Sequence, residues 1–141
     1  MVSSPLTEYV SGGSKKVSGW FGRIDAEMFQ SILEHQNQKK FCGAVAEIGV
    51  HHGRSFIAMC LALQQGQKSY CVDVFDAQDL NKDFSGKGDS NIFEQNLTRF
   101  GIDPNSVTIE AKSSMDVAVD DILRSVGPVR FFSVMVVTGQ Q

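Results

Sequence analysis

The sequence has no cysteine pair at CxxC spacing, no unbroken long apolar run, no basic cluster and no GxGxxG turn. Each absence removes a class of protein. Cys42, Cys60 and Cys71 are odd in number, widely spaced and set in apolar stretches, so they read as buried thiols rather than a disulfide framework or a metal site. The longest apolar run, Val126 to Val137, is interrupted by Gly127, Pro128, Arg130 and Ser133, which excludes a membrane span. The opening residues lack the apolar centre of a secretory signal, and a cytoplasmic protein is expected. Thirteen Lys and Arg against sixteen Asp and Glu give a formal charge of −3, with the cations scattered, which argues against nucleic acid as a partner. No internal repeat or low-complexity tract is present.

What is there suits one globular domain: 141 residues, 42% hydrophobic and 21% charged. Residues 1–19, rich in Ser and Gly without apolar periodicity, read as a flexible leader, with the folded domain over 20–141. Ile24, Met28 and Ile32, flanked by Phe29 and Leu33, recur at helical spacing up to about Asn37. The apolar run Gly43 to Ile48 reads as a strand, followed by a glycine turn and a helix with Phe56, Cys60 and Leu63 on one face. Ser69 to Phe75 is a second strand, and Asp76 to Asp89 a polar loop containing Gly86 and Gly88. Asp89 or Ser90 caps a helix running to Phe100, with Gly101 as its stop. Val107 to Ala111 is a third strand, Met115, Val119, Ile122 and Val126 mark a further helix, and Val129 to Val137 is a fourth strand. The alternation predicts an α/β fold: a Rossmann-like parallel sheet with helices on both faces, about four strands, incomplete. Ligands of such sheets sit beyond the carboxyl ends of the strands, where strand order reverses.

The segment AEIGVHHGRSF carries the candidate chemistry. Glu47 closes the first strand, Gly49 and Gly53 bracket the turn with Val50 and His51 between them, and Ser55 opens the helix. Gly49 permits a tight turn and close approach of a ligand, and Gly53 close packing at the helix entrance. A carboxylate at position 47 repels a diphosphate but accepts hydrogen bonds from an ammonium group, which favours a zwitterionic ligand over a dinucleotide. Asp73, at the end of the second strand, is placed to hold ribose hydroxyls, and Ser113 follows the third strand where an adenine edge would lie. His51 and His52 diverge as neighbours and lack a third ligand, so no metal is expected. No GxSxG elbow surrounds Ser55, which argues against a hydrolase.

Glu47 to Gly53, the acidic strand end at Asp73 and the segment GPVRFFSV together resemble class I S-adenosylmethionine-dependent methyltransferases, particularly a bacterial branch acting on small molecules. The resemblance covers about residues 20–134. It implies S-adenosylmethionine as cofactor, with Glu47, Gly49, Val50, His51, Gly53 and Ser55 at the methionine end, Asp73 at the ribose and Ser113 by the adenine. His51 stands where many relatives carry glycine. After FFSV the branch continues with an acidic Asp-Gly-x-His turn, whereas this chain reads Met135, Val136, Val137, Thr138. The expectation is therefore a C-terminally truncated, cofactor-binding half, with a small-molecule acceptor in intact relatives, no assignable catalytic base, and a fourth strand open to self-association. Two other readings remain: a nucleotide-binding oxidoreductase module, and a non-catalytic interaction module that pairs through that strand.

Overall fold

The computed structural model describes residues 2–77 and 88–135. Helix α1 (Pro5–Ser11) and a short 3-10 turn precede α2 (Arg23–Gln38), β1 (Ala44–Ile48), α3 (Arg54–Leu61), β2 (Ser69–Asp73), α4 (Ser90–Arg99), β3 (Val107–Ala111), α5 (Val119–Val126) and β4 (Val129–Val134). Much of the expected 76–89 loop, including Gly86, and the expected strand end at Val136 and Val137 lie outside the described residues.

The strands form one parallel sheet in the order β3-β2-β1-β4. The chain steps outward from β1 to β2 to β3, then returns across the sheet to place β4 on the far side of β1. Crossovers of one hand put a helix on one face when the chain moves one way and on the opposite face when it moves back. The core follows that rule. Phe56, Ile57 and Met59 of α3 and Phe93 and Leu97 of α4 share one cluster with Val45 and Cys71, whereas Ile122 and Val126 of α5 pack on Ala46, Tyr70 and Val72 across the sheet. The reversal between β1 and β4 is the topological switch point of the fold.

Within the segment expected as a flexible leader, the structure places a helix packed on the core. Ser4 caps α1 by accepting from the Thr7 N–H, Pro5 takes the first turn, and Leu6 and Tyr9 are buried in the main core. The Tyr9 hydroxyl donates to the Arg54 carbonyl at the start of α3, and burial raises its pKa well above the ordinary phenol value. Val17 is buried as well, so this segment supplies part of the wall against which α2 and α3 pack.

Helix α2 has the expected span with the opposite face inward. Ala26 and Leu33 are buried and Phe29 packs edge-on against Phe131 of β4, while Ile24 is 79% exposed and Met28 51%. Two apolar stripes occupy this helix, and tertiary contacts choose the one that meets β4. Helix α3 is buried from Ser55 to Cys60, all round rather than on one face, with Leu63 beyond its end. The helix expected from Met115 begins at Val119; Met115 lies in a 3-10 turn and is exposed, leaving Ile122 and Val126 as the packed pair. Cys60 and Cys71 are buried, but Cys42 is exposed. Among the described residues, no helix is long and apolar enough to cross a membrane. β4 lies at the sheet edge, tied back to α2 by Arg130, whose Nη1 donates to Gln36 Oε1 at 2.6 Å.

Candidate functional site

β1 ends at Ile48, and the chain then turns sharply over the carboxyl end of the sheet. The Gly49 N–H donates to the Val72 carbonyl of β2, and the Met135 N–H donates to the Ile48 carbonyl, so the turn is held from both neighbouring strands. Gly49 has φ +81°, and a Cβ there would stand 2.6 Å from the Met135 carbonyl oxygen. Gly53 has φ +93° and lies against the Phe93 ring, which confirms close packing at the helix entrance. His51 also takes a left-handed conformation, φ +52°, where glycine would meet less resistance.

Beside this turn, at the switch point, is a shallow open hollow lined by Ser18, Gly19, Trp20, Gly49, Val50, His51, Arg54, Ser55 and Met135. Four expected site residues, Gly49, Val50, His51 and Ser55, meet there. Glu47 is fully buried below Ser55, whose hydroxyl lies 2.8 Å from both carboxylate oxygens. Burial pushes the Glu47 pKa up to about 7, only partly offset by hydrogen bonding from Ser55 and Ser133. An acid so placed sits between charge states at neutral pH.

Asp73 joins the site through the backbone. One carboxylate oxygen accepts from the His51 N–H and the other from the Phe75 N–H, each at 2.8 Å. It thereby draws the glycine turn toward the end of β2 and keeps an acceptor position on each oxygen for a further donor. Ser113 stands apart from the hollow, where its oxygen accepts from the Met115 N–H at 3.3 Å to cap the 3-10 turn after β3.

The rings of His51 and His52 do not diverge; they stack with centroids 3.8 Å apart. Burial and the neighbouring His51 lower the His52 pKa. Among the described residues, no group of three His, Cys, Asp or Glu side chains is placed to hold a metal ion.

Trp20, Arg54 and Met135 were not expected at the site. Trp20 stands edge-on to His51, centroids 5.2 Å apart, and Arg54 Nη1 donates to the Gly19 carbonyl at 2.8 Å. These two contacts fold the 18–20 segment over the hollow. An arginine within the glycine-turn motif was visible in the sequence, but no periodic signal marked residues 18–20 as part of a site.

No family model matches the chain, and no curated protein matches its sequence. Solved structures do match its fold. An O-methyltransferase from Bacillus cereus, in complex with SAH, superposes with a TM-score of 0.61 at 14% identity over 96% of this chain and 56% of that one. An O-methyltransferase candidate from Klebsiella pneumoniae gives 0.51 at 16% identity, covering 90% of this chain and 49% of that one. The chain has an α/β, Rossmann-like fold, shared with these O-methyltransferase structures. It spans about half the length of these two structures.

Proposed function

We propose that the chain binds S-adenosylmethionine and its product S-adenosylhomocysteine across the carboxyl ends of β1 and β2, as the cofactor-holding part of a methyl transferase for small-molecule acceptors. The observation that carries this reading is the glycine turn lining the hollow at the switch point, tied to the buried Glu47 carboxylate through Ser55 and to the Asp73 carboxylate through the His51 N–H. The B. cereus neighbour, solved with SAH on the same fold, supports it.

The residues present suit such a ligand. In this reading the amino-acid end lies against the hollow and the nucleoside extends over Gly49 toward Asp73, whose carboxylate bonds the His51 N–H of the turn. Buried Glu47 disfavours a diphosphate and, through Ser55, biases the floor of the hollow toward a cation. Asp73 retains lone pairs directed at neither backbone amide, which suits two ribose hydroxyls.

When bound, S-adenosylmethionine supplies an electrophilic methyl group on a sulfonium. The work of this chain is to bind, to orient and to exclude water: the glycine turn fixes the direction of approach, Asp73 sets the depth of the ribose, and the 18–20 segment shields the amino-acid end. Asp116 and Asp120 do not serve as a base in this reading, because both are exposed on the surface after β3. Three cysteines that form no disulfide with one another fit a cytoplasmic setting. The β4 edge, with Phe132 and Val134 half-exposed, supports self-association of the chain.

Calorimetric titration with S-adenosylhomocysteine tests the reading. Binding is expected, and Asp73→Asn is expected to weaken it by about 10- to 100-fold, the loss of charged hydrogen bonds to two hydroxyls. A folded wild-type chain that binds NAD in preference to S-adenosylhomocysteine would reject it in favour of the oxidoreductase reading.

A further inference from the structure

The hollow is lined by a cation, Arg54, that no carboxylate among the described residues pairs with. Arg54 lines it together with Trp20, Gly49 and Ser55. Its Nη1 is committed to the Gly19 carbonyl, but its Nε–H is buried and has no acceptor among the described residues. None of the ion pairs among the described residues includes Arg54. Glu47, the buried acid of the site, spends its oxygens on Ser55 instead.

A guanidinium tied at Nη1 has a defined orientation and one unused edge, formed by Nε and Nη2. That edge presents two parallel N–H donors at the spacing of the two oxygens of a carboxylate. A buried N–H without an acceptor raises the energy of the unliganded site, and a ligand oxygen removes that cost. The two charged groups sit on different elements: Arg54 opens α3 and bonds the Gly19 carbonyl, whereas Glu47 lies in β1 and is bonded by Ser55. An amino-acid zwitterion has the matching pair of charges.

We propose that Arg54 is the carboxylate anchor of this site, receiving the α-carboxylate of the ligand's amino-acid end on its Nε/Nη2 edge. The proposal rests on the cofactor reading above and adds to it a specificity element: the site selects ligands that carry a free carboxylate. The link from Arg54 to Gly19 makes the same side chain hold the 18–20 segment in place while the carboxylate is bound.

The test is a comparison of two ligands on three proteins by calorimetry. The ligands are S-adenosylhomocysteine and its decarboxylated analogue, which keeps the adenosine, the thioether and the ammonium group. The proteins are the wild type, Arg54→Gln and Arg54→Lys, the last retaining charge and stem but not the fork. Wild-type protein is expected to prefer the carboxylated ligand by about 10- to 100-fold, and both variants to lose most of that preference while binding the decarboxylated analogue within about threefold of wild type. Equal loss of both ligands in the variants would reduce Arg54 to a structural tie and overturn the proposal. So would a wild type that binds the two ligands equally, a comparison that stands even if Arg54→Gln fails to fold. A folded wild type that binds neither ligand overturns the cofactor reading itself, a result distinct from either of these.

Discussion

Gly49→Ala is expected to lower the stability of the chain by about 2–5 kcal/mol, seen as a fall in Tm on the order of 10 °C. Two costs combine at this position. A φ of +81° is strained for any residue with a Cβ, and the added carbon would stand 2.6 Å from the Met135 carbonyl oxygen. That oxygen belongs to backbone held by the Met135 N–H to Ile48 bond, so it cannot move aside as a side-chain tip would. Gly101→Ala is the matched control: its φ is +82°, but nothing lies within 4 Å of the added carbon. The control is expected to cost about 1 kcal/mol, the conformational part alone. Thermal unfolding of the two variants separates the terms, and equal losses would mean that the approach of Met135 to the turn does not constrain it. Because the same movement opens the end of β1, S-adenosylhomocysteine binding should fall with the stability of the Gly49 variant and remain unchanged in the control.

Glu47 predicts the second large effect, on the dependence of stability on pH. Its folded pKa of about 7 lies above the ordinary carboxyl value of 4.5 because burial penalises the charged form. The folded state therefore holds the proton more tightly than the unfolded chain does. Stability from this residue is fully present below about pH 4.5, declines as pH rises from there to about 7, and is level above, with a total change of ~3 kcal/mol. Melting temperature measured from pH 5 to pH 8 should fall across that interval by roughly 10 °C. Glu47→Gln keeps the shape and an acceptor for the Ser55 hydroxyl while removing the ionisation, so its profile should be flat and its Tm at pH 8 above that of the wild type. A wild-type profile already flat over this range would show that Glu47 is not held in the protonated form by its burial.

The α/β class and all four strands were legible because parallel strands covered on both faces are written as short apolar runs bounded by glycine and polar turns. The Asp89 cap and the Gly101 stop of α4 were legible for a related reason: caps are local, and each is satisfied within a few residues of itself. The inward face of α2 was not. Ile24, Met28 and Ile32 form one valid stripe and Ala26, Phe29 and Leu33 another, and only the position of Phe131 on β4 decides between them. α1 escaped notice because two turns are too short for periodicity to show, although Ser4 followed by Pro5 is a helix start in plain view.

The site divides in the same way. Gly49, Val50, His51 and Ser55 could be read as one unit because they lie within seven residues of sequence, and the fold brings all four to the hollow. Asp73 could be placed at the end of the neighbouring strand, but its bond to the His51 amide emerges only in the fold. Trp20 and Met135 could not be read, since each arrives from a distant part of the chain. Ser113 was placed by order along the chain alone, and in the fold its oxygen serves a local turn.

Trp20 gives the site an optical signature. It is the only tryptophan in the chain, and it stands half-exposed at the mouth of the hollow with its ring edge-on to His51. All indole emission from this protein therefore originates at one address, without background from the core. Displacing water from that ring shifts its emission toward the blue, and changing its contact with the imidazole alters its brightness. The colour of the protein's own fluorescence is thus a gauge of how closely the 18–20 segment lies over whatever occupies the site.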